Sequence, residues 1–195
     1  MEIFIFYIKQ GFFHVLDFNA LDHVLFFIAL TIVFSFKEYK KTICLITFFT
    51  IGHSLTFGLA AYNYLNVNVD LIEFLIPITI LIPLVLNIYF AIKKTEIQQN
   101  KLNIYFSFFF GLIHGLGFSN YFKMLLDETD DKLIPLIEFA IGIEFAQLII
   151  VLLVLIFSYL LDVAFGFKKR IVIITTSILI ILFIIPMLIE RTPWF

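Results

Sequence analysis

The sequence predicts an all-α fold: a polytopic membrane helical bundle of six transmembrane helices, preceded by a short N-terminal interfacial or half-inserted helix. Three observations predict it. The chain is 62% hydrophobic and only 14% charged, with a mean hydropathy of +1.07, whereas a soluble domain is about half apolar and a quarter charged. Six apolar segments of roughly bilayer-crossing length follow one another with short polar connections. The connections alternate in basic charge without a break.

Taken in order, residues 1–19 form the interfacial segment, because the apolar run from Met1 to Phe13 is interrupted by Lys9, Gln10 and Gly11. A span needs about 20 apolar residues. No basic leader region or small-residue cleavage site follows Met1, so these residues are expected to stay in the mature protein. Asn19 followed by Asp22 reads as an N-cap with an acid in the first turn. The six spans are predicted near 20–36, 42–64, 71–92, 102–125, 133–161 and 171–189, in a single domain covering 1–195. Lys37, Lys40 and Lys41 mark the first connection, Lys93, Lys94 and Lys101 the third, and Lys168, Lys169 and Arg170 the fifth. The second has no Lys or Arg, and the fourth is acidic with one lysine. Basic loops stay in the cytoplasm, which puts both termini on the outer side.

Depth follows from the helical rise. His53 lies roughly 16 Å into the second span, His114 roughly 18 Å into the fourth and Glu144 roughly 16 Å into the fifth. In a hydrocarbon core about 30 Å thick, all three fall near the midplane. His23, Glu73 and Glu138 lie in the outer turns of their spans, and His14 at the outer boundary. Ionisable groups in hydrocarbon cost several kcal/mol unless paired, so they are expected to face one interior cavity. Four histidines with nearby carboxylates suit nickel, zinc, cobalt or copper(II). Glycines beside His53 and His114 let helix backbones approach, and Ser54 could hold an imidazole in one tautomer. Taken singly, each histidine could equally serve as interhelical glue. Together they point to a shared metal or proton site.

Phe48–Phe57 matches Phe109–Phe118 at both leading phenylalanines, the histidine, a leucine and the last phenylalanine. Downstream, Leu71-Ile72-Glu73-Phe74 recurs as Leu136-Ile137-Glu138-Phe139. These offsets suggest two hairpins related as a parallel repeat. Pro77 and Pro83 each remove one helical hydrogen bond from the third span. A single cysteine, Cys44, excludes an intramolecular disulfide and a CxxC metal site. There is no phosphate-binding glycine loop, no Ser-His-Asp order and no basic surface for nucleic acid, so nucleic acid is not expected as a partner.

Four stretches resemble a known family. Asp22-His23-Val24-Leu25-Phe26 is similar to its DHLLF signature, and Phe49-Thr50-Ile51-Gly52-His53-Ser54-Leu55-Thr56 to FTxxHSxT. Phe110–Phe118 is similar to FGLIHGLGF, and Gly142-Ile143-Glu144-Phe145-Ala146-Gln147 to GVExxQ. In this order they resemble the HupE/UreJ family of bacterial membrane proteins, associated with hydrogenase and urease accessory functions. Ala20 and Ala140 depart from the glycine and asparagine usual there.

The resemblance implies a secondary permease for a divalent metal, nickel first, with cobalt and zinc as further candidates, in the bacterial inner membrane. It implies His14, Asp22, His23, His53, His114 and Glu144 as metal ligands, with Ser54, Glu73 and Gln147 supporting them. The lipid bilayer and the metal ion are the partners expected. The residues also leave two other readings open. One is an intramembrane zinc hydrolase acting on a lipid or lipid-linked substrate, with Glu144 or Glu73 as general base. The other is a metal sensor or assembly factor.

Overall fold

The computed structural model describes residues 2–17, 21–65, 67–94, 101–118 and 132–193. Among them, all regular structure is helical. The helices are α1 (Glu2–Val15), α2 (Asp22–Thr31), α3 (Tyr39–Ala61), α4 (Val69–Lys93), α5 (Lys101–Gly117), α6 (Leu133–Val163) and α7 (Lys169–Glu190), with a 3-10 turn at Phe36–Glu38 leading into α3. Among the described residues, four helices are long and apolar enough to cross a membrane: α3 with its leading turn, α4, α6 and α7. Their outward faces are apolar. Leu153, Leu179 and Leu182 are each about three-fifths exposed, at 60%, 61% and 62%, which suits lipid and not water.

The predicted first span is the main departure. Hydropathy reads 20–36 as one helix, but α2 is 10 residues long. The Thr31 hydroxyl donates back to the Phe27 carbonyl at 2.5 Å, and the chain then leaves the helix. Ile32, which caps the helix, and Val33 and Phe34 beyond it stay buried in the core. A new start follows: the Glu38 carboxylate accepts from the Ser35 N–H and hydroxyl and pairs with Lys41 at 3.0 Å. Burial continues across this break, so a hydropathy window cannot see it. The cap proposed at Asn19 lies outside the described residues, as do 119–125 of the predicted fourth span and 127–131 of the acidic connection.

Close contacts fix the helix directions. Across the α3–α5 seam, a Cβ on Gly52 would strike the Phe108 carbonyl and one on Gly111 the Phe49 carbonyl. Farther along, a Cβ on Gly115 would strike the His53 carbonyl and the Thr56 hydroxyl. Numbering rises together along both helices, so they run parallel, as the two similar stretches require. The α1–α6 seam is built the same way, with Gly11 on the Phe139 carbonyl and Gly142 on the Ile8 carbonyl. There His14 lies beside Phe139 while Ile8 lies beside Gly142, so α1 and α6 run antiparallel.

Lys132 reaches the Ala61 carbonyl at the α3–α6 end of the bundle, Arg170 reaches the Ile92 carbonyl at the opposite end, and Arg191 returns to Asp22. Helices α1, α3, α5 and α7 therefore share one direction, and α2, α4 and α6 the other. Helix α1 is set into the bundle against α6, and it starts toward the end opposite to Arg191.

Candidate metal centre

Four helices each bring one imidazole to a common point. His14 is in the last turn of α1, His23 in the first turn of α2, His53 midway along α3 and His114 in the last turn of α5. Ring centroids lie 4.7 Å apart for His14 and His23, 5.8 Å for His23 and His53, 5.9 Å for His14 and His53, and 5.2 Å for His23 and His114. The glycine seams explain the convergence. His53 and His114 belong to helices in backbone contact, and Gly11 lets α1 approach closely enough for His14 to join them.

The donor atoms are what a metal requires. Nitrogens of His14, His23 and His53 lie within 4.8 Å of one another. Metal–imidazole bonds are about 2.0–2.1 Å, so modest side-chain rotation closes the set on an ion. His14 Nε2, His23 Nε2, both ring nitrogens of His53 and His114 Nδ1 are buried with no hydrogen-bond partner. One orphaned buried polar atom costs about 1–3 kcal/mol, and several brought together fit a ligand site better than a packed core. Phenylalanine walls the cluster. Phe26 and Phe49 flank His23, His53 and His114 on one side. On the other side Phe57, Phe118 and Phe139 stack on one another at 16–18° between ring planes, with Phe118 against His14.

The predicted acids divide. Asp22 is buried beside His23. One oxygen accepts from Arg191 at 3.0 Å, and the other has no partner. It therefore stands at the cluster as an ion-paired carboxylate and not as a helix cap. Glu144 is not brought to the histidines. It accepts from the hydroxyls of Thr47, at 2.6 Å, and Thr50, and Thr50 also lies 2.9 Å from Gln147 Oε1. Those threonines precede His53 by six and three residues, about 9 and 4.5 Å along the axis. Glu144 and Gln147 thus form a second, oxygen-rich cluster on the α3–α6 interface.

Glu73 is exposed on α4, away from the imidazoles. Ser54 is half-buried and makes no hydrogen bond to a ring among the described residues; Thr79 makes that contact instead, with His114 Nε2 at 2.9 Å. The sequence reading did not single out Thr79 or Arg191. Pro83 frees the Thr79 carbonyl, but nothing in the sequence points to the Thr79 hydroxyl, and Arg191 lies beyond the last predicted span. The sequence places Glu138 in an outer turn and matches it to Glu73, and the structure buries it with an unpartnered Oε2. The two glutamates are therefore not equivalent.

Helical bundle and buried histidine cluster together define a multi-pass membrane protein with a site able to hold a metal ion inside its apolar core. The chain belongs to the HupE/UreJ family: the family model described as HupE / UreJ protein matches residues 1–191. No curated protein and no solved structure matches the chain.

Proposed function

We propose that this protein is a permease for a divalent transition metal, nickel first, with cobalt and zinc as further candidates. The observation that carries the reading is the set of unpartnered imidazole nitrogens from four helices at one buried point. His14, Asp22 and His23 capture the ion, and His53 and His114 complete its shell. Asp22 supplies negative charge next to a set of otherwise neutral ligands, which lowers the cost of a dication in the bilayer.

The Glu144 cluster supports passage over storage. Thr50, Thr47, Glu144 and Gln147 continue a polar path along α3 beyond His53, where the loop charges put the inner half. Glu144 is the natural group to exchange a proton as the ion leaves. The hydrolase reading loses both carboxylates assigned to it as general base: Glu144 is engaged by two threonines, and Glu73 is exposed. The inner membrane is the expected location.

The test is to purify the protein, measure its bound metal, and follow uptake of that metal into proteoliposomes. Saturable uptake that disappears with His53→Ala is the expected result. A tightly bound ion with no flux would replace the permease with a sensor or an enzyme.

A further inference from the structure

Thr79 lies between two partners. Its Oγ1 is 2.6 Å from the Ile76 carbonyl oxygen and 2.9 Å from His114 Nε2. A hydroxyl carries one proton, and a carbonyl oxygen only accepts. Two oxygens 2.6 Å apart repel unless a proton lies between them, so the Thr79 proton is on the Ile76 side. The remaining contact then requires the ring to donate: Nε2–H of His114 donates to a lone pair of Thr79 Oγ1. A neutral imidazole has one N–H, so Nδ1 of His114 carries a bare lone pair. That atom is buried without a partner, and its ring is 5.2 Å from that of His23.

We infer that Thr79 is a positioning residue, which holds His114 as the Nε2–H tautomer and presents Nδ1 as a fourth imidazole ligand to an ion held by His14, His23 and His53. The inference rests on the metal reading of the cluster and adds to it the ligand atom and the residue that selects it. Metal-bound histidines usually donate their second N–H to an oxygen, which fixes ring orientation and raises basicity. Here that oxygen comes from a different helix. Thr79 sits on α4 between Pro77 and Pro83, where two ladder bonds are missing. The residue that orients the ligand therefore lies between two prolines of its helix, and ring and helix are coupled through one hydrogen bond.

The test uses the full chain in lipid nanodiscs with nitrogen-15-labelled histidine, metal-free and with Zn(II), read by solid-state NMR, together with Zn(II) titration. In the wild type, His114 should be protonated at Nε2 in both states, with the Nδ1 resonance moving on zinc addition. Thr79→Val should leave a mixture of tautomers and lower zinc affinity by about 10–100-fold, while Thr79→Ser should stay within about threefold of wild type. An Nδ1–H tautomer in the metal-free wild type, or unchanged affinity in Thr79→Val, overturns the inference. Should the valine variant fail to fold, the wild-type tautomer decides alone. Absence of any zinc binding would instead remove the metal reading, and the metal-free spectrum would still report on Thr79.

Discussion

Helix α3 serves two polar clusters within two turns, and they are built on opposite terms. At His53 the neighbours are imidazoles and phenylalanines, and both ring nitrogens lack partners. At Thr50 and Thr47 the neighbours are a carboxylate and an amide; both hydroxyls donate to Glu144, and Gln147 Nε2 is the one buried atom there without a partner. The first arrangement is costly as it stands and repays that cost only when something binds. The second is largely satisfied by the chain itself. Burial of polar groups alone does not distinguish a ligand site from a structural network; the number of donors and acceptors left over does.

Substitutions can break this contrast. The largest effect is expected from His53→Ala, which removes the one imidazole of the cluster with both ring nitrogens buried and unpartnered. Bound metal should fall from about one ion per chain to none, with affinity lower by at least about 100-fold, equivalent to about 2.7 kcal/mol. Retained stoichiometry by elemental analysis would return the histidines to a packing role.

Next, Gly142→Val places methyl groups where the Ile8 carbonyl now sits. It should displace α1 and withdraw His14. Zinc titration should show an affinity loss of about tenfold, with the Glu144 cluster intact. An unchanged affinity would mean that His14 is not a ligand.

Glu144→Gln sharpens the contrast further, because it should split two measurements. Equilibrium affinity at the histidines should stay within about threefold, while proteoliposome uptake drops by about tenfold or more. A parallel fall in affinity would show that the two clusters act as one.

The smallest effect belongs to Arg191→Gln. It removes a cation from Asp22 and should raise metal affinity by about two- to fivefold, in line with the 0.2–1 kcal/mol of a partly exposed ion pair. A loss of affinity would show instead that Arg191 orients the carboxylate for binding.

Where the sequence sufficed, one physical quantity decided the outcome. Helices α3, α4, α6 and α7 follow from apolar length, and their ends fall near the basic or polar connections. The meeting of the four histidines was legible because an unpaired imidazole in hydrocarbon has few other uses. What escaped depends on local competition. The end of α2 turns on a hydroxyl at Thr31 and a new start at Ser35, within a stretch that stays buried throughout. The entry of α1 into the bundle turns on Gly11 meeting the Phe139 carbonyl and Gly142 the Ile8 carbonyl, contacts that no single segment announces. Glu144 meets Thr47 and Thr50 and not the histidines, because a position along an axis leaves its azimuth open. Thr79 looked like an ordinary midspan threonine until His114 was set beside it.

The stacked rings of Phe57, Phe118 and Phe139 have a kinetic consequence. Phe57 lies one turn beyond His53 and Phe118 one turn beyond His114, so the stack covers the end of the cluster toward which α3 and α5 run. It offers no oxygen to replace a hydration shell. On the permease reading, a cation entering through this end would shed its water against the rings before meeting the first imidazole. Magnesium, which dehydrates reluctantly and favours oxygen ligands, would then be disfavoured at the entry and not only at the histidines.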